Sequence, residues 1–324
     1  MARPILKWAG GKTKIVPRIV EEMKSKPLGI RWTIRDDQSW EDKRYIEPFV
    51  GGGGAFLGMK RHDMIRGHPE VLLADINSVL ITTLNALKDE HNIDRLVERL
   101  GEMEEEFGKN REEFFYKSRD HLNSEIIHNP AADPIDTAAH MIFINKTCFN
   151  GLWRVNSKGE MNTPLGRSPS GKIKILDEKA LRDFSAVIRG AEIIHQDWER
   201  TIENAGDGDL VYVDPPYWPK DGEYVFRDYN EKKGFDDAEQ KKVATLCAEA
   251  ASRGARVIIS NNYSVEIRKA YYRAAKEAGV RISRARKGGQ GQRRIRLKRT
   301  MTKVKGEERK EVEEILVFMA PKKT

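Results

Sequence analysis

The chain of 324 residues carries 58 Lys and Arg against 50 Asp and Glu, a net charge of +8, and is 39% hydrophobic. That length suits one large α/β domain with a subdomain, while no apolar run approaches the roughly 18 residues of a membrane helix, and a secretory apolar stretch is lacking at the start. The only cysteines, Cys148 and Cys247, are far apart and without Cys/His ligand spacing, so a cytoplasmic protein with no disulfide framework and no metal site is expected.

The first informative stretch is ILKWAGGKTKIVPRIVEEM. Ile15, Ile19 and Met23 recur at helical spacing, with Val16 and Val20 beside them, and predict a helix from near Thr13. Lys7, Trp8 and Lys12 surround the Gly10-Gly11 turn before it. A turn feeding a helix N-terminus offers backbone N–H groups to an anion such as a carboxylate. A Walker A loop is excluded, because its first glycine would fall at Leu6 with no strand ahead of it. Residues 24–43 read as a variable polar connection without chemistry.

RYIEPFVGGGGAFL, residues 44–57, predicts a short strand, four glycines and an apolar helix start, the shape of a nucleotide-binding first turn. It is not a GxGxxG fingerprint, since counting from Gly51 puts Phe56 at the last position; hydride transfer is disfavoured. The glycines allow close backbone approach to a ligand. VLLAD then predicts a second strand ending at Asp75, 24 positions after Gly51 and near the spacing of an acid that binds ribose hydroxyls. Asp75 can equally cap the helix INSVLITTLNALK. From 89 to 186 the pattern is helical, with Leu96, Val97, Leu100 and Phe107 on one helix and Phe114, Phe115, Ser118 and Leu122 on the next. Asp133-Pro134 is an N-cap and first-turn pair. The segment 145–167, NKTCFNGLWRVNSKGEMNTPLGR, interleaves Phe149, Leu152 and Trp153 with Asn, Gly and basic residues, which suits reading or wedging of base pairs as well as a plain β-hairpin.

After a helix near 177–188, AEIIHQ predicts a third strand and DLVYVDPPYWP a fourth. Leu210, Val211 and Val213 form its apolar run, ended by Asp214, Pro215 and Pro216, because proline cannot donate to a sheet ladder. An acid at the carboxyl end of a strand, stiff carbonyls and the ring of Tyr217 suit a planar nitrogenous base whose amino group must be gripped and aimed. Asp236, Glu239 and Gly254 delimit the next helix; ARVIISNN is a parallel strand and SVEIRKAYYRAAKEAG a helix. VRISRAR and EEILVFMA predict an antiparallel pair. Their connection, residues 284–310, holds 12 Lys or Arg against two Glu, an excess larger than that of the whole chain. Its isolated apolar residues predict a surface segment, and Gly288, Gly289 and Gly291 a flexible first part, which together suit a loop that orders on phosphates, with a solvated tail as the alternative.

The ordered set WAGGK, EPFVGGGG, ADIN, NKTCFNGLWRVNSKGEMNTPLG, DPPY and ISNN resembles the Dam-like adenine-specific DNA methyltransferases over nearly the whole chain. The resemblance implies an α/β fold: a Rossmann-like S-adenosylmethionine-dependent catalytic domain over 1–88 and 187–324, with an inserted, mainly helical target-recognition subdomain over 89–186. It implies cofactor binding by Trp8, Gly10, Gly11, Lys12, Glu47, Phe49, Gly51, Gly53, Asp75 and Asp214, and catalysis by Asp214, Pro215, Pro216 and Tyr217. It implies DNA contacts by Lys7, Phe149, Asn150, Leu152, Arg154 and Pro164, with Phe149 as a wedge; Arg293 and Arg294 are added from the basic segment. Double-stranded DNA, a site such as GATC, base flipping and a monomeric enzyme follow from the same resemblance. An orphan enzyme and the partner of a restriction endonuclease both fit, in a bacterial, archaeal or phage-infected cell. An RNA adenine methyltransferase and an inactive DNA-binding relative remain as alternatives.

Overall fold

Short runs with apolar centres become five parallel strands: β1 (Arg44–Glu47), β2 (Glu70–Asp75), β3 (Glu192–His195), β4 (Leu210–Val213) and β5 (Arg256–Asn262). The computed structural model describes residues 2–8, 10–29, 32, 44–65, 70–167, 173–217, 235–283, 293–298 and 311–322, with 293–298 and 311–313 described by their backbone. Every residue of β4 and β5 is buried, as parallel strands covered on both faces must be. Three more strands follow, β6 (Arg281–Ile282), β7 (Arg293–Lys298) and β8 (Glu311–Ala320). Among the described residues the sheet runs β3-β2-β1-β4-β5-β8-β6, with β7 also paired to β8. β8 is antiparallel to β5 on one edge and to β6 and β7 on the other.

Helices α1 (Val16–Lys24), α2 (Gly54–Arg61), α3 (Ser78–Lys88), α4 (Glu90–Lys109), α5 (Arg111–His121), α6 (Pro134–Thr147) and α7 (Glu178–Ile188) share one apolar cluster with Leu210 and Tyr212 of β4. Helices α8 (Trp198–Glu203), α9 (Asp237–Ser252) and α10 (Val265–Glu277) share the other with Val211 and Val213. Alternate residues of one strand thus face opposite cores, and the fold is the expected Rossmann-like α/β class. The strand order reverses between β1 and β4, so their carboxyl ends flank the crevice where such sheets take ligands.

Local signals held where capping chemistry was explicit. Asp133 accepts from the N–H groups of Ile135 and Asp136 at 3.0 Å, and Asp236 from that of Glu239 at 3.0 Å. Three readings need correction. The first helix starts at Val16 rather than Thr13, because a 3-10 turn over Lys12–Lys14 precedes it and Pro17 sits in its first turn. The cap of α3 is Asn77, which accepts from Leu80 N–H at 2.9 Å; Asp75 binds elsewhere. The basic connection is not simply a loop, since Arg293–Lys298 is a strand along β8. Its sequence alternates Ile295 and Leu297 with basic residues, a strand period; the three glycines expected to loosen it, Gly288, Gly289 and Gly291, lie outside the described residues. The connection 24–43 also contains Trp32, buried edge-on against Phe318 with ring centroids 4.9 Å apart.

Candidate active site

Asp214 leaves β4 where the ladder stops, and its side chain is 18% exposed. Its Oδ1 takes the ammonium of Lys12 at 2.7 Å and the hydroxyl of Ser260 at 3.1 Å. Ser260 comes from β5 and is itself hydrogen-bonded to the Tyr212 hydroxyl at 2.8 Å. Both contacts fall on one oxygen, Oδ1. Lys12, 2% exposed, also donates to the Gly10 carbonyl at 2.9 Å and to the Tyr217 hydroxyl at 3.0 Å, and stands 4.9 Å from that ring's centroid. Tyr217 in turn donates to Glu314 Oε1 at 2.6 Å. Gln240 of α9 donates to the Pro216 carbonyl at 2.5 Å and is held by Asn261 at 3.1 Å. The turn 214–217 is thereby fixed from four directions.

Burial raises the Asp214 carboxyl above its usual range; the Lys12 cation opposes this and the Glu314 charge adds to it. Burial also pushes Glu47, at the end of β1, up to about 8, against the Tyr45 hydroxyl that donates to it and with the Asp214 charge reinforcing the rise. A buried carboxyl costs least when neutral or well paired: Glu47 is favoured in its neutral form, and Asp214 is the carboxyl that the lysine pairs.

The glycine loop between β1 and α2 packs on Trp8. At Gly51, with φ +48°, an added Cβ would lie 2.6 Å from Trp8 Cδ1, and at Gly52 3.3 Å from Trp8 Cβ. Asp75 accepts the Gly51 N–H at 3.0 Å through Oδ2 and the Asn77 N–H at 3.1 Å through Oδ1. It therefore ties the end of β2 to the loop, and burial raises its carboxyl. Ile76, next to it in the chain, is a large apolar side chain 36% exposed. Gly11 N–H bonds back to the Trp8 carbonyl at 3.0 Å. Phe49 stacks on Trp198 with centroids 5.7 Å apart and meets Phe235 edge-on, so part of its surface is spent on packing.

The segment 145–167 leaves α6 as a loose ribbon with antiparallel bridges Cys148–Leu165 and Val155–Met161. Phe149 N–H bonds the Pro164 carbonyl at 2.8 Å, and Arg154 Nε donates to Asn162 Oδ1 at 2.9 Å. Phe149, Asn150, Leu152, Arg154 and Pro164 are thus gathered on one element, with Phe149 40% exposed. Lys7 is brought to them through Gly151. Arg293 and Arg294 lie on β7, with their backbones opposite Leu316 and Ile315, apart from this ribbon along the chain and in the sheet.

Although no metal-ligand spacing is visible along the chain, α5 and α6 bring one potential ligand atom each of His121, Asp136 and His140 within 4.8 Å of one another. Asp136 already takes both histidines, at 3.0 and 3.2 Å, and the Arg99 guanidinium at 3.1 Å. The group reads as a tether of α4, α5 and α6, beside a cavity of about 580 Å³. Among the described residues, no helix is long and apolar enough to cross a membrane.

Residues 8–283 match the sequence profile of D12 class N6 adenine-specific DNA methyltransferases. The type II methyltransferase M.MjaIII of Methanocaldococcus jannaschii is 36% identical over 269 residues, covering 82% of this chain and 86% of that one. M1.LlaDCHI, a type II methyltransferase of Lactococcus lactis, is 30% identical over 264 residues, covering 81% and 82%. A DNA adenine methylase of Haemophilus influenzae is 29% identical over 283 residues, covering 87% of each. The profile takes in Trp8, Lys12, the glycine loop, the ribbon and the turn at Asp214, and stops before the basic segment. On that extent of match, the chain belongs to the family of N6 adenine-specific DNA methyltransferases.

Proposed function

We propose that the protein methylates N6 of adenine, with S-adenosylmethionine as donor, in a short duplex site containing GA, GATC foremost. The observation that carries this reading is the turn Asp214–Tyr217 at the reversal point of the sheet, with Asp214 Oδ1 held by Lys12 and Ser260. The residues around the crevice fit the donor's chemistry: Asp75 suits hydroxyls, and Trp8, Phe49 and Ile76 suit a flat ring, while Lys12, whose three N–H groups go to Asp214, Gly10 and Tyr217, offers a carboxylate its charge rather than a direct hydrogen bond. Glu47, Gly10, Gly11, Gly51 and Gly53 complete that rim. When bound, the donor supplies an electrophilic methyl on a sulfonium.

An aromatic amine is a poor nucleophile because its lone pair is delocalised into the ring. Asp214 Oδ2 and the Pro215 carbonyl accept the amino hydrogens and draw that nitrogen out of conjugation, aiming its lone pair. As positive charge develops on nitrogen, the fixed carboxylate stabilises it. Pro216, its carbonyl held by Gln240, keeps the turn rigid, and the Tyr217 ring receives the base once it has left the helix. Lys7, Leu152, Arg154 and Pro164 read the flanking bases and Phe149 wedges beside the target step, with 89–186 as the recognition subdomain. The protein acts as a monomer in the cytoplasm, alone or beside a cognate endonuclease.

The test is transfer of radiolabelled methyl from S-adenosylmethionine to short duplexes. Label should enter a GATC duplex and be lost when the target adenine is replaced by guanine. Preferential labelling of RNA of the same sequence would overturn the reading.

A further inference from the structure

The proposed reading leaves unexplained how Lys7, at the N-terminus, is kept in register with base readers some 145 positions later. Asn145 lies in the last turn of α6 and is 1% exposed. Its Oδ1 accepts the Lys7 N–H at 2.8 Å, and its Nδ2 donates to the Lys7 carbonyl at 2.8 Å and to the Gly151 carbonyl at 3.2 Å. A planar amide, with donor and acceptor side by side, is the side chain that can pair with both backbone groups of one residue, as a neighbouring strand would. Its second N–H then binds the ribbon. At Gly151, with φ +68°, an added Cβ would lie 2.6 Å from Lys7 Cδ, so the lysine stem runs directly over the ribbon backbone. Buried amide groups are costly to leave unpaired, and here all three partners belong to segments assigned to base reading.

We infer that Asn145 is a positioning residue for sequence recognition: it fixes the Lys7 backbone to the ribbon, so that Lys7, Leu152 and Arg154 read the site as one unit. This rests on the proposed reading of Lys7 as the contact to the base before the adenine. Asn145 touches no substrate in this role; it acts through Lys7. A merely structural part, fastening α6 to the N-terminal segment, would change stability without acting through that one side chain.

A double-mutant cycle separates the two. The quantity measured is the ratio of kcat/KM for a GATC duplex to that for a duplex with the first base pair changed. Lys7→Ala should lower this ratio about tenfold, the lower part of the range for one base contact. If it does not, the reading of Lys7 fails before Asn145 is at issue. Asn145→Asp keeps the shape and the acceptor for Lys7 N–H but sets a carboxylate oxygen against two carbonyls. It should lower the ratio by a similar factor, and the double variant should lose no more than Lys7→Ala alone. With Lys7→Ala behaving as stated, an Asn145→Asp ratio close to wild type, or losses that multiply, would overturn the inference. Should Asn145→Asp fail to fold, Asn145→Ser, which removes the amide that spans Lys7 and Gly151 without adding a charge, carries the same cycle with the same outcomes.

Discussion

Asp214 is held between opposing influences: burial favours its neutral form, while the Lys12 ammonium at 2.7 Å favours the carboxylate. The proposed mechanism needs the charged form, so kcat/KM for DNA, which reports the free enzyme, should fall with acid at a pH above the usual aspartate value of about 3.9. Lys12→Met removes the cation that lowers this pKa, and the acid limb should move to higher pH; a move to lower pH would contradict the ion pair's role. Glu47 gives a separate stability prediction. Its folded value of about 8 exceeds the usual carboxylate range, so the folded state binds its proton more tightly than the unfolded state. Stability from this group is full below the unfolded value of about 4.3 and is lost as pH rises through the folded one. Glu47→Gln should flatten the decline of stability between those limits in urea unfolding, although Asp75 and Asp214, raised in the same direction, leave part of the slope. An unchanged slope would mean that Glu47 is ionised at low cost.

At the scale of elements, legibility followed periodicity and caps. β4 announced itself by its apolar run and its prolines, and α6 by Asp133-Pro134. β7 was overlooked because two apolar residues among basic ones look too few to bury; the alternation mattered more than the number. β7 hydrogen-bonds an edge that β8 would otherwise expose, and its basic residues discourage further strand addition. We propose that the same residues supply charge for phosphates. Replacing Arg293, Arg294, Arg296 and Lys298 with Gln should reduce the slope of log K against log salt by about 3.6 if four phosphates are neutralised, with the methylated sequence unchanged. An undiminished slope would confine β7 to covering the sheet edge. A changed sequence would move base reading away from the ribbon.

Across the whole molecule, one sheet divides the core, with α1–α7 on one face, α8–α10 on the other, and the crevice at the strand reversal. The motif residues around that crevice were legible because each sits beside a strand end or a glycine turn. Two of their supports were not: Gln240 and Glu314 reach the turn at Asp214 from α9 and β8, and such long-range pairings leave no local pattern; Ser260 lies in a quoted motif, but its bond to Asp214 could not be read from it. The resemblance supplied proposed roles that spacing alone left open, but it gave least guidance on the basic segment 284–310, which lies beyond the family match. The most direct test of the whole account is single-molecule sequencing of DNA from cells expressing the wild-type protein or Asp214→Ala. The account predicts N6-methyladenine preceded by guanine, at GATC foremost, and its loss in the variant, whose turnover should fall more than about a hundredfold for a loss of roughly 3–4 kcal/mol. Modified adenines without a preceding guanine, or a methylome that survives Asp214→Ala, would contradict it.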